Sequence, residues 1–328
     1  MIRTVLLLLL LIAALAAAAL SHGDHPVPWG ELAAVLTGHA GAPRQAELVV
    51  MDLRLPRLLL AFLVGAALAV SGAVAQAILR NPLAEPGLLG INAGAGLAAM
   101  VVMVGLPSAP TPFLPVAGFL GASAMAAAIH ALAWQGGTTS LRLILIGIGL
   151  GSVAMAGTTL VSTLGDLSSV QRALIWLSGS VHHAGWTDVQ VLALWLALPM
   201  ALTLAATRQL DLIGLGDGSA RSLGQRVDLV RGMMVLLCTA MAGAAVSAAG
   251  LIGFVGLIAP HAARRLVGPS HARLIPITAL LGGALVMAAD LLGRSIAAPL
   301  QLPAGLVTAL IGAPFFAYLL WGRRHAFS

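Results

Sequence analysis

Long apolar runs alternate along this chain with short breaks rich in Pro, Gly and charge. Neither the strict alternation of a half-buried strand nor the one-sided stripe of a surface helix prevails. An uncharged run of about 20 residues is what a helix needs to cross the hydrocarbon core of a bilayer. Such runs predict spans over residues 5–20, 58–79, 91–106, 116–134, 141–164, 189–206, 232–249, 274–292 and 303–321. Asn81-Pro82 and Glu85-Pro86-Gly87 end the second, because Pro disfavours helix at the residue before it. Pro107, Pro110, Pro112 and Pro115 close the third. Residues 21–53, with Pro26, Pro28, Gly38, Gly41 and Pro43, read as a loop. The stretch 165–188 is mixed, and 207–231 is the longest charged segment. The first run also has the look of a signal peptide, but further spans follow it and it is slightly long for one.

Composition agrees. Of 328 residues 59% are hydrophobic and 9% charged, against about 25% charged in soluble domains. The expected fold class is therefore an all-α polytopic membrane protein, a single transmembrane domain over residues 1–328. All 17 basic residues are Arg. They sit at the ends of apolar runs, without the clustered aromatics of a nucleic-acid surface, so they read as membrane-orientation signals. With no Lys, no P-loop can form, because that motif needs Lys to reach the nucleotide phosphates. If ATP drives this protein, a separate subunit hydrolyses it. The lone Cys238 lies inside an apolar run and permits no intrachain disulfide.

Charge also sets a topology. Arg3 precedes the first run and Arg323-Arg324 follow the last, which places both termini in the cytoplasm and requires an even number of crossings. The tenth is expected over 251–267, an apolar stretch broken by Gly253, Gly256 and Pro260. Arg3, Arg80, Arg142, Arg208, Arg221, Arg226, Arg231, Arg264, Arg265, Arg273, Arg323 and Arg324 then fall inside. Only Arg44, Arg54, Arg57, Arg172 and Arg294 fall outside. Gly65-x-x-x-Ala69 and Gly147-x-Gly149-x-Gly151 have the spacing of close helix contacts.

Candidate chemistry is sparse. Asp290 is the only acid inside an apolar run, one turn from Arg294, which argues against a proton-coupled carrier. Thr158, Thr159 and Ser162 are candidates for a translocation path, with Thr158 and Ser162 on one helical face. The glycines of 92–99 follow no strand and are no dinucleotide site. His182-His183, His22, His25 and His39 lack the spaced partners of a metal centre, and no nucleophile–base or paired-carboxylate set emerges. From Ser219 onward the charged segment could form a short amphipathic helix at the cytoplasmic surface, a docking element for a soluble partner.

Longer stretches carry a resemblance. These are Arg54-Leu55-Pro56-Arg57, the run 64–72, Arg80-Asn81-Pro82-Leu83-Ala84-Glu85-Pro86-Gly87-Leu88-Leu89-Gly90, Gly253-Phe254-Val255-Gly256-Leu257-Ile258-Ala259-Pro260-His261 and Leu310-Ile311-Gly312-Ala313-Pro314-Phe315-Phe316. In this order they resemble the iron-siderophore, haem and cobalamin permease family of type II ABC importers, with the vitamin B12 permease fold. The resemblance implies ten transmembrane helices, and a dimer with a second copy or a paralogue, with the substrate path at their interface. It also implies two ABC ATPase subunits that use the ATP, a periplasmic substrate-binding protein, and no cofactor bound by this chain. It matches Ala220-Arg221-Ser222-Leu223-Gly224 to the ATPase-coupling segment, within about 211–228 and including Asp217. It assigns Arg54, Arg57 and Arg294 to binding-protein docking. Arg57 is the strongest of these because no acid lies three or four residues from it. The stretches 144–149 and 173–180 look most like ferric-siderophore permeases, with haem or cobalamin as alternatives. An ion-coupled secondary transporter and an intramembrane enzyme are the readings from other classes.

Overall fold

The computed structural model describes the chain except residues 24, 39–42, 107, 109–112, 297–298 and 323–328. His39, Gly41, Pro107, Pro110, Pro112, Arg323 and Arg324 thus lie outside the described residues. Among the described residues there are helices and no strand. In order they are α1 (Ile2–Ser21), α2 (Trp29–Leu36), α3 (Arg44–Glu47), α4 (Leu55–Ile78), α5 (Ile91–Gly105), α6 (Phe113–Ala133), α7 (Ser140–Leu164) and α8 (Leu167–Leu177). Then follow α9 (Trp186–Ala205), α10 (Thr207–Gly214), α11 (Asp217–Ser222), α12 (Val227–Ala249), α13 (Val255–Val267), α14 (His271–Ile296) and α15 (Ala304–Gly322).

Among the described residues seven stretches are long and apolar enough to cross a membrane: α1, Arg44–Ile78, α6, α7, α9, α12 and α14. Two shorter apolar helices, Ile91–Gly105 and Ala304–Leu319, match the remaining strong runs. The expected tenth span is shorter than its run. Gly250 takes φ +72° and Phe254 φ +67°, so the helix starts only at Val255. Its 13 residues reach about 20 Å, less than the ~30 Å hydrocarbon core.

Helix α4 is the axis of the domain. It is apolar all round and almost wholly buried from Leu60 to Ile78, as a helix ringed by others must be. It packs against α12, α13 and α14, and its approaches are set by glycine. A Cβ on Gly65 would stand 2.1 Å from the Gly282 carbonyl oxygen, and one on Gly282 would stand 2.3 Å from Ala69 Cβ. A Cβ on Gly72 would stand 2.1 Å from the Gly256 carbonyl oxygen. Gly65-x-x-x-Ala69 is thus a backbone-to-backbone contact. A Cβ on Gly147 would likewise stand 2.1 Å from the Leu88 carbonyl oxygen, whereas Gly149 and Gly151 face open space, so only one of that trio makes a close contact.

Three connecting segments differ from expectation. Residues 21–53 are not all loop. The chain turns helical at Arg44 and runs through a π-helical stretch, Leu48–Arg54, into α4. Pro56 explains the widened turn, since it has no N–H to give to the carbonyl one turn back. The mixed stretch contains α8, opened by Asp166, whose carboxylate accepts from Ser169 N–H at 2.9 Å. The short charged-segment helix spans Asp217–Ser222 and ends near where it was expected to begin, because Gly224 at φ +82° turns the chain away.

Candidate functional site

Functional candidates fall into three places. At one end of the bundle Arg54, Arg57 and Arg294 converge, although α4 and α14 bring them from far apart in sequence. They line one cavity of about 490 Å³, together with His25, His182, His183 and Gln301. All three are less than 10% exposed and bonded within the chain. Arg54 donates to the carbonyl of Leu20 at 2.6 Å and to that of His25, and Arg294 donates to the carbonyl of Ala19 at 2.8 Å. Helix α1 has no basic residue in its own last turn. The two arginines supply the cations and donors that its terminal carbonyls attract.

Arg57 corrects the sequence reading. It does have an acidic partner, 233 residues away: Asp290 receives its Nε at 3.0 Å and one terminal nitrogen at 2.7 Å. The other terminal nitrogen donates to Gln301 at 2.8 Å and to Nδ1 of His182 at 2.9 Å. Because Arg has only donors, His182 must accept at Nδ1 and carry its proton on Nε2. Partial burial, then the charge of Arg57, hold the His182 pKa below its ordinary value. The expected Asp290–Arg294 pair is secondary, at 4.0 Å. Asp290, His182 and Gln301 were thus missed as partners; the lone acid in an apolar run was the available signal.

At the opposite end lie the coupling candidates. Asp217 and Ala220 are on α11, opened by Gly216 at φ +99°. Ala220 is fully buried and fixes the helix to the bundle, while Leu223 just beyond it is 62% exposed. Asp217 pairs with Arg231 at 2.7 Å, and Arg221 with Asp228 at 3.1 Å. Arg231 is 0% exposed and also donates to the Thr138 carbonyl. Helix α10 is tied in separately, with Asp211 meeting His271 Nδ1 at 2.6 Å and its N–H at 2.9 Å. The segment is a braced platform with an apolar tip.

The path candidates stand on α7, one of the least buried spans. Thr158 and Ser162 are half-buried and Thr159 is exposed. Their hydroxyls return to their own helix, onto the carbonyls of Ala154, Thr159 and Met155 respectively, at 2.8–3.1 Å. That leaves acceptor lone pairs on the open face and no fixed donor. Among the described residues no group of three His, Cys, Asp or Glu could hold a metal.

Comparison with known proteins shows where this architecture belongs. The FecCD transport family model matches residues 7–322. The achromobactin transport system permease protein of Dickeya dadantii is 44% identical over 299 residues, covering 91% of this chain and 85% of that protein. The Fe(3+) dicitrate transport system permease protein FecD of Escherichia coli is 42% identical over 306 residues, covering 93% and 94%. The cobalamin import system permease protein of Halobacterium salinarum is 38% identical, covering 91% and 80%. In three dimensions the chain is similar to a metal-chelate-type ABC transporter in an inward-facing conformation, with TM-score 0.88 and 28% identity, covering 98% of this chain and 100% of that one. Fold, sequence and coverage agree: the chain belongs to the FecCD transport family and is a multi-pass permease subunit of an ABC-type importer.

Proposed function

We propose that this permease carries a ferric siderophore, handed over by a periplasmic binding protein, into the cytoplasm. The observation that carries this reading is identity of 40–44%, over most of the chain, to several permeases named for siderophores or ferric citrate. The cobalamin relative, at 38%, keeps that substrate as the alternative. The exposed face of α7, with Thr158, Thr159 and Ser162, lines the path against a second copy or a paralogue. Two ATPase subunits seat on Asp217–Gly224, with Leu223 entering their groove. The cavity of Arg54, Arg57 and Arg294 faces the binding protein, and Arg57 acts there through its clamp on Asp290. Both termini lie in the cytoplasm after ten crossings. The tenth comprises α13, about 20 Å long, together with the non-helical residues 250–254 that lead into it.

The test is uptake into proteoliposomes holding the permease, its ATPase and its binding protein, with ATP enclosed. Ferric siderophore should accumulate. Accumulation of cobalamin or haem alone would transfer the function to the alternative. Uptake driven by a pH gradient through this chain alone would refute the importer mechanism. Cysteine labelling at the exposed positions His22 and Ser219 should react from opposite sides; labelling of both from one side would refute the topology.

A further inference from the structure

Beside the coupling tip lies an open cleft of about 700 Å³ that shares Arg221 with the coupling segment. His130, Trp134, Arg221, Arg226, Asp228 and Gly232 are among its walls. It continues into an apolar groove of about 200 Å³ between α6 and α12, since His130 and Gly232 line both. Along α6 the groove extends from Phe119 to His130, about 16 Å of helix. That is roughly the hydrocarbon depth of one leaflet. Ala126, Ala127, Gly232 and Ala240 keep it open because their side chains are small or absent.

The mouth is cationic. Arg221 and Asp228 offset one another at 3.1 Å, and Asp228 also accepts from Thr138 N–H at 2.9 Å. The Arg226 side chain is exposed and makes no ion pair or hydrogen bond among the described residues. Trp134 is half exposed at the rim, the amphipathic ring that favours headgroup depth. Where mouth and groove join, His130 Nδ1 is buried without a hydrogen-bond partner.

We propose that this is a binding site for an anionic phospholipid, with its phosphate at Arg226 and one acyl chain in the α6–α12 groove. Basic pockets between spanning helices on the cytoplasmic side are where anionic headgroups bind. The site rests on the reading that 207–231 lies at the cytoplasmic membrane surface.

Native mass spectrometry of the purified permease–ATPase complex tests it, titrated with phosphatidylglycerol and phosphatidylcholine of identical acyl chains. Phosphatidylglycerol should be retained about fivefold better, as one arginine near a headgroup contributes. Arg226→Gln, an exposed position, should bring that ratio close to one. Ala240→Leu should weaken both lipids alike, because Ala240 lines the groove and not the mouth. Equal retention of the two lipids, or a preference that survives Arg226→Gln, overturns the proposal. So does a preference present in the permease alone and lost on adding the ATPase, which would make the cavity the partner's seat. If labelling places 207–231 outside while the preference persists, the topology fails and the lipid site stands.

Discussion

Replacing Arg57 by Met leaves the Asp290 carboxylate, 5% exposed, with only Arg294 at 4.0 Å. Breaking a buried pair from one side costs about 3–5 kcal/mol, because the remaining charge has lost both water and partner. Replacing both partners by apolar side chains of similar size is often neutral or stabilising. Arg57→Met and Asp290→Leu should therefore each lower stability by about 3–5 kcal/mol, while the double variant stays within about 1 kcal/mol of the parent. Equilibrium unfolding of the detergent-solubilised permease reads the three differences, and their non-additivity is the coupling of the pair. Single losses below about 1 kcal/mol, or a double loss equal to their sum, would refute a buried clamp. The double variant also separates clamp from contact. If it folds but no longer captures the binding protein, Arg57 touches that partner directly.

Further outcomes follow from other contacts. Leu223→Asp puts a charge on the exposed tip beyond α11 and should leave the fold intact while ATP hydrolysis continues without uptake; ATP-driven uptake at the parental rate would make the segment a mere connector. Gly65→Ala is a test of sign. Helix propensity alone favours Ala by about 1 kcal/mol, but its Cβ would lie 2.1 Å from a backbone oxygen. The α4–α14 contact should therefore lose at least ~1–3 kcal/mol, and a rise in the unfolding midpoint would show that the helices separate freely. His182 has a lowered folded pKa, so its contribution is present above its ordinary value near 6.5 and fades as pH falls through the folded value. His182→Gln, which still offers Arg57 an acceptor, should flatten the acid side of the stability profile, whereas an unchanged profile would remove His182 from the clamp.

Hydropathy alone located the long spans, since a bilayer imposes a length and an apolarity that each run meets separately. Gly65-x-x-x-Ala69 was legible for the same reason, as small residues at that spacing have few other uses in a membrane. The failures lie where a residue's role depends on a distant segment. Arg57 has no acid on its own helix face, and nothing local points to Asp290, 233 residues on. The helical entry from Arg44 was hidden by the Glu and Asp it carries. The charged-segment helix was misplaced by a few residues because its bounds are set by Gly216 and Gly224, not by periodicity. At the proposed coupling site Leu223 and Gly224 were visible as a pattern, whereas the brace from Arg231 was not.

That brace has a mechanical meaning. Arg231 grips Asp217 before the proposed coupling tip, the Thr138 carbonyl at the foot of α7, and approaches Asp228 at 4.0 Å on its own helix. Three segments are thereby riveted at one buried guanidinium, so a displacement of the tip cannot be absorbed by a loop bending on its own. A push at Leu223 would arrive at α7 with little slack, becoming a tilt of the helix whose open face carries Thr158, Thr159 and Ser162.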